Sequence, residues 1–198
     1  MLHQALIWDA SLFLWLNGDM ASLLLDPFMT AATDLGNGFY LYPIGIVLML
    51  LLARENFLRD AVLWTTTSLI AFALGEALKH AFVRPRPLAY FSDAISRNAV
   101  HVHVVGPHLY AFSFPSGHSY TIFSAASLFG FLYPRIAVPL YLVACMTGLS
   151  RVNVGAHFPG DVLGGAAVGL VSTLLTLRLI WRRIPERWLG SRSLAAPD

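Results

Sequence analysis

Long apolar stretches with short polar punctuation dominate this chain. Leu58–Leu78, Ser119–Tyr133, Ile136–Leu149 and Val162–Ile180 are nearly free of charge. A membrane-spanning helix needs roughly 20 apolar residues, with about 17 as the usual minimum. Two of these stretches reach that length and two fall short, as helices packed inside a bundle can. The alternating segments of a membrane β-barrel, about ten residues each, do not occur in the sequence.

The punctuation divides the chain into elements. Leu2–Leu16 reads as an amphipathic helix lying in the interface, where indole rings such as Trp8 and Trp15 favour the boundary of lipid and water. Ser22–Leu35 is short and carries Asp26 and Asp34, so it reads as a partial or short first span. Phe39–Ala53 is a second span, ended by Arg54-Glu55-Asn56, and the third runs from Leu58 to about Phe82. The polar stretch Arg84–Phe114 follows as the one long loop. Gly117–Tyr133, Ile136–Leu149 and Pro159–Trp181 complete the set, and Arg182–Asp198 is a basic tail. The expected fold is therefore all-α: a polytopic membrane bundle of about six transmembrane helices with an N-terminal interfacial helix, forming one domain over 1–198.

Composition strengthens this picture. Apolar residues make up 57% and charged residues 12%, against about 25% charged in soluble domains. Lys79 is the sole lysine, and no basic stripe suited to nucleic acid is present. Cys145 lies in an apolar run and has no second cysteine to pair with. Met1–Gly18 lacks a basic n-region and a cleavage site, so no cleaved signal peptide is expected.

The arginines suggest an orientation. Arg54, Arg59, Arg135, Arg178, Arg182, Arg183, Arg187 and Arg192 fall on one side of the expected topology. Lys79, Arg84, Arg86, Arg97 and Arg151 fall on the other. The positive-inside rule then puts the tail in the cytoplasm and the long loop outside, in a bacterial inner membrane. In this topology Lys79, His118, Arg151, His157 and Asp161 all meet at the outer face.

Those residues share a chemistry. Pro115-Ser116-Gly117-His118 opens an apolar helix: Ser116 suits an N-cap, Gly117 allows close approach to the backbone, and helix-terminal amides favour a phosphate. A plain helix cap with an interfacial histidine would read the same way. His157-Phe158-Pro159-Gly160-Asp161 also opens a helix, with Pro159 in the first turn and Asp161 placed to bond one imidazole nitrogen. Such a pairing activates a histidine as nucleophile, although Asp161 could equally just cap its helix. Lys79, Arg86 and Arg151 are costly charges at a membrane edge, where ionisable groups face a cavity and a partner. An anionic substrate is one partner. Glu76, one turn before Lys79, is a rival for that lysine. Arg84 and Arg86 are near-duplicates on this reading. His80, His101, His103 and His108 read as solvated loop histidines rather than zinc ligands, with Asp93 and Arg97 on a solvated face of the long loop. Gly160, Gly164, Gly165 and Gly169 form small-residue patterns suited to helix packing.

Lys79 with Arg86-Pro87, Pro115-Ser116-Gly117-His118, and Ser150-Arg151 with His157 and Asp161 together resemble the three motifs of the type 2 phosphatidic acid phosphatase superfamily. The resemblance covers about residues 58–182 and assigns the motif arginine to Arg86. It implies a metal-independent phosphatase without a cofactor, acting on a phosphorylated lipid among membrane lipids. His157 would be the nucleophile, Asp161 its orienting partner and His118 the general acid. Lys79, Arg86, Ser116, Gly117 and Arg151 would bind the phosphoryl group. The substrates implied are undecaprenyl diphosphate, phosphatidylglycerophosphate, phosphatidic acid or lipid A. A lipid phosphotransferase would use the same residues. A non-enzymatic lipid transporter would need the charges but not the His157–Asp161 pair. The related vanadate-dependent haloperoxidases are soluble, unlike this chain.

Overall fold

The computed structural model describes residues 2–183, so Arg187, Arg192 and most of the basic tail lie outside the described residues. The described chain is helical: α1 Leu2–Leu14, continued by a π-helical turn Trp15–Asp19; α2 Asp26–Asp34; α3 Gly38–Ala53; and α4 Phe57–Phe82. The short α5 Pro87–Tyr90 and α6 Ser92–Ser96 interrupt the outer loop. Then come α7 Gly117–Leu132, α8 Ala137–Asn153 and α9 Pro159–Leu179. Among the described residues three segments are long and apolar enough to cross a membrane: Gly38–Ser96, which contains α3 and α4, Pro134–Asn153 and Pro159–Leu179.

The central helix is α7, packed by α4, α8 and α9. It has 16 residues, or about 24 Å at 1.5 Å per residue. Most of its side chains are buried, including Tyr120, Ile122, Leu128 and Phe129. Its neighbours, and not lipid, therefore set its composition. Unlike a soluble protein, the bundle is apolar on its outside as well as in its core. Phe39, Leu51, Val138, Leu142, Leu163 and Leu174 point outward and exposed. Hydroxyl pairs lie inside, with Thr67 bonded to Thr176 (3.0 Å) and Ser127 to Thr173 (2.5 Å). This is the arrangement expected when lipid covers the outside and buried polar groups join the helices.

Small residues let α7 and α9 meet closely. A Cβ at Gly165 would lie 2.6 Å from the Ser116 carbonyl oxygen, and one at Gly169 would lie 2.7 Å from the Ser124 amide. The glycines of α9 thus serve packing, as the sequence pattern suggests.

The first expected span, read as partial or short, is a short helix. Within Ser22–Leu35 the α-helix covers only Asp26–Asp34. Nine residues rise about 14 Å, far less than the ~30 Å hydrocarbon core. Asp26 and Asp34 bound it, and it packs beside α8 at one end of the bundle. Its Thr33 hydroxyl meets that of Ser150 (2.7 Å). The N-terminal helix lies across the same end. Asp9 accepts from the Gly160 amide, Phe13 packs on Phe91 and Phe158, and Asn17 donates to Val152 and Asn153 carbonyls.

A buried pair marks the opposite end. Arg59 and Asp60 sit 2.7 Å apart; Tyr133 donates to Asp60, and Arg59 lies over the Trp181 ring. The turns at Arg54–Asn56 and Pro134–Ile136 and the end of α9 are therefore together. Arg59 is neutralised inside the bundle and adds little to a charge count of that face.

Candidate active site

The three motifs converge where α4, the outer loop, α7, α8 and α9 meet. Helix termini do the positioning. At α7, Ser116 is the N-cap, and its hydroxyl accepts from the Ser119 amide (3.4 Å). The first-turn amides of Gly117 and His118 have no intrahelical acceptors and face the cluster. At α8, Gly155 takes the left-handed conformation (φ +77°), and the Ala156 and His157 amides both bond back to the Arg151 carbonyl (3.1 Å each). That turn folds His157 back over Arg151. At α9, Pro159 opens the helix and Asp161 lies in its first turn, bonding the Phe158 amide (2.9 Å).

His157 is the most constrained group. It is 2% exposed, and its Nε2 lies 3.3 Å from Nη1 of Arg86. A guanidinium offers only donors, so this contact requires an acceptor lone pair on Nε2. The proton then sits on Nδ1, the nitrogen that faces Asp161 Oδ2 at 3.7 Å. The pair expected from the sequence is brought together, but at a separation longer than a hydrogen bond. Burial pushes the His157 pKa down to about 4; Asp161 opposes this, and Arg86 and Arg151 reinforce it. The imidazole is thus neutral at neutral pH, with its lone pair aimed out of the helix end.

The cations surround that lone pair. Arg86 is fixed by the Ala111 carbonyl (2.8 Å) and the Ala156 carbonyl (3.1 Å). Arg151 is buried in the last turn of α8 and donates from Nη1 to Thr33 Oγ1 (3.4 Å), while its Nε finds no partner among the described residues. A buried guanidinium donor left without an acceptor is costly, and an anion would supply one. Lys79 bonds Glu76 (2.7 Å), so the rival pairing exists, yet its ammonium also sits beside Gly117 and over the Tyr120 ring. Arg151, Arg86, Lys79 and His157 all lie near enough to His118 to set the field on it. Every sequence-derived candidate therefore reaches one cluster.

The near-duplicate arginines separate in space. Arg86 takes the front of His157. Arg84 takes the back of Asp161, donating to Oδ1 (2.6 Å) and to Asp9 Oδ2 (2.7 Å). Ser113 donates to Asp161 Oδ2 (2.5 Å). Asp9, Ser113 and Thr33 were not singled out from the sequence. Asp9 alone left a signal, as the one acidic residue of its helix. The loop histidines also differ from expectation. His101 and His108 are exposed, but His103 is half-buried, bonded to Asp26 (2.8 Å) and held at its backbone by Asn17. Asp93 and Arg97 are exposed.

Residues 60–185 match the model of the PAP2 superfamily. A lipid A 1-phosphatase of Rhizobium etli is 30% identical, over 91% of this chain and 91% of its own length. An undecaprenyl-diphosphatase of Bacillus subtilis is 29% identical over 57% of this chain and 53% of its own length. Among solved structures, that of Aquifex aeolicus LpxE superposes with a TM-score of 0.71 at 28% identity, covering 85% of this chain and 93% of that one.

Proposed function

The chain belongs to the PAP2 superfamily, and from that premise we propose that it is an integral membrane lipid phosphatase working through a phosphohistidine on His157. The observation that carries this reading is the poise of His157: buried, neutral, Nε2 lone pair facing Arg86, and Nδ1 turned to Asp161.

In this reading the phosphoryl group sits among Lys79, Arg86, Arg151, Ser116 and the Gly117 amide. Arg86 turns from His157 Nε2 to a phosphoryl oxygen, freeing the lone pair. Nε2 attacks phosphorus, the phosphorus–oxygen bond to the lipid breaks, and His118 gives its proton to the leaving oxygen. The imidazole carries positive charge as the bond forms, and Asp161 stabilises it through Nδ1–H. Water then attacks phosphorus with His118 as base, the phosphorus–nitrogen bond breaks, and inorganic phosphate leaves with His157 neutral again. The cations stabilise the charge that spreads over the equatorial oxygens. None of these steps calls on a metal ion.

The domain acts as one membrane-embedded unit. Helices α3, α4, α7, α8 and α9 cross the bilayer, α1 lies in the interface, the site faces the periplasm or cell exterior, and the C-terminus is cytoplasmic. The arginines at Arg54, Arg135 and Arg178, opposite the site, support this orientation. Lipid A carrying a 1-phosphate is the first substrate to test, because the relative so named matches along nearly the whole chain. Undecaprenyl diphosphate comes second.

The test is phosphate release by purified protein in detergent with EDTA. The panel is lipid A, undecaprenyl diphosphate, phosphatidylglycerophosphate and phosphatidic acid, each beside His157→Ala. Release that survives EDTA and is lost in the variant supports the reading. Folded protein that releases phosphate from none of them refutes hydrolysis, and label passed to an added lipid acceptor would identify phosphotransfer instead.

A further inference from the structure

Asp161 is held by three donors, and one of them leads into the N-terminal helix. Its Oδ2 accepts from Ser113 (2.5 Å) and from the Phe158 amide (2.9 Å). Its Oδ1 accepts from Arg84 Nη1 (2.6 Å), and the other arm of the same guanidinium, Nη2, donates to Asp9 Oδ2 (2.7 Å). Asp9 Oδ1 accepts from the Gly160 amide (2.7 Å), next to Asp161. The guanidinium also lies over the Phe158 ring, 4.3 Å from its centroid. Asp9, Arg84, Asp161 and Gly160 thus close a ring between α1, the start of the outer loop and the first turn of α9.

We propose that Asp9 is a positioning residue for the reaction: it acts through Arg84 to set the carboxylate of Asp161 against His157, which makes the N-terminal helix part of the catalytic unit. The proposal rests on His157 as nucleophile and Asp161 as its partner.

The critical separation is small. Asp161 Oδ2 is 3.7 Å from Nδ1, and a hydrogen bond needs about 2.9 Å. A carboxylate turn of under 1 Å or so decides whether the imidazolium formed during attack is stabilised. Arg84 grips the opposite oxygen, so its placement governs that turn. Arg84 bonded to Asp161 alone could swing with it. With a second carboxylate on its other arm, it is fixed in plane. Asp161 is fully buried and Arg84 and Asp9 are largely so, which leaves little water to take over either contact. Asp9 is also the only acidic residue of α1.

A double-mutant cycle on kcat and KM separates positioning from simple anchoring. The variants are Asp9→Asn, Arg84→Gln and the pair, assayed on the lipid phosphate released fastest in the panel above, with thermal unfolding measured alongside. Asparagine can still accept from the Gly160 amide, so the seat of α1 survives while the negative charge facing Arg84 is lost. The expected result for Asp9→Asn is a kcat lower by roughly 10- to 100-fold, the scale of a small misplacement. KM should stay nearly unchanged, the double variant should be no slower than Arg84→Gln, and Asp9→Glu should recover much of the rate. Wild-type kcat in Asp9→Asn, losses that multiply in the double variant, or no recovery by glutamate would each overturn the proposal. His157→Ala is the separate control: turnover that persists there refutes the nucleophile itself, whatever the cycle shows.

Discussion

At the scale of single residues, the roles proposed for His157 and His118 each make a distinct prediction. His157 is the nucleophile only when neutral. Its pKa, lowered to about 4 by burial, keeps it neutral through the physiological range, and the nucleophilic form is lost only as pH falls through about 4. In the unfolded chain a histidine titrates near 6.5. The stability tied to this group is therefore complete above about 6.5 and is lost progressively as pH falls toward 4. Nitrogen NMR of histidine-labelled protein, assigned with His157→Gln, should show the imidazole neutral to about pH 4; a midpoint near 6.5 would contradict the burial argument. His118 should reveal itself through the leaving group. In the first step, read as the single-turnover rate at which the leaving group is released, His118→Ala should cost about 10²- to 10⁴-fold on a lipid whose departing oxygen is an alcohol, and far less on a diphosphate, whose departing phosphate needs no proton. Equal losses on both would count against His118 as acid. The positions of these residues were legible in the sequence because each motif opens or closes a helix, whereas the division of roles between the two histidines came only from the family resemblance. Asp9, Ser113 and Thr33 were not legible. They reach Arg84, Asp161 and Ser150 across the chain, and no local pattern records a contact of that range.

At the scale of elements, apolar pattern and helix punctuation located α3, α4, α7, α8 and α9 to within a few residues. The stretch 22–35, read as a partial or short span because it is short and carries two aspartates, holds a nine-residue helix lodged beside α8 whose ends those aspartates mark. The C-terminal end of α8 was underestimated, because Ser150 and Arg151 look like loop residues. They complete its last turn, where Arg151 is buried among partners from α2. The contact between α7 and α9 is the element-level hinge of the account, since it sets Ser116 and Asp161 side by side: the Ser116 amide bonds the Asp161 carbonyl at 2.9 Å. Gly165→Leu should force these helices apart. Overpacking of this kind costs about 1–3 kcal/mol, or several degrees in a chain of this length at roughly 2–4 °C per kcal/mol. Activity should fall along with stability, and an unchanged unfolding temperature would show that the close approach is not needed.

At the scale of the whole molecule, the bundle has two unlike ends. One gathers the phosphate-seeking charges under α1, α2 and the outer loop; the other is tied by Arg59, Asp60 and Tyr133. The account places the first end outside the cell. In a Cys145→Ala background, Asn98→Cys should react with an impermeant maleimide added to spheroplasts, whereas Arg54→Cys should react only after the membrane is opened; the reverse pattern would invert the orientation. The central claim is that three distant motifs assemble one phosphohistidine site, and the most direct test is to find the phosphoryl group. Protein turning over a ³²P-labelled lipid diphosphate would be quenched in alkali, where phosphohistidine survives, and its peptides mapped. His118→Ala would be run in parallel, because it lacks the base for the second step and should accumulate the intermediate. The account predicts label on His157 in both proteins, more in the variant, and none in His157→Ala. Label on any other residue, or sustained turnover by His157→Ala, would contradict it.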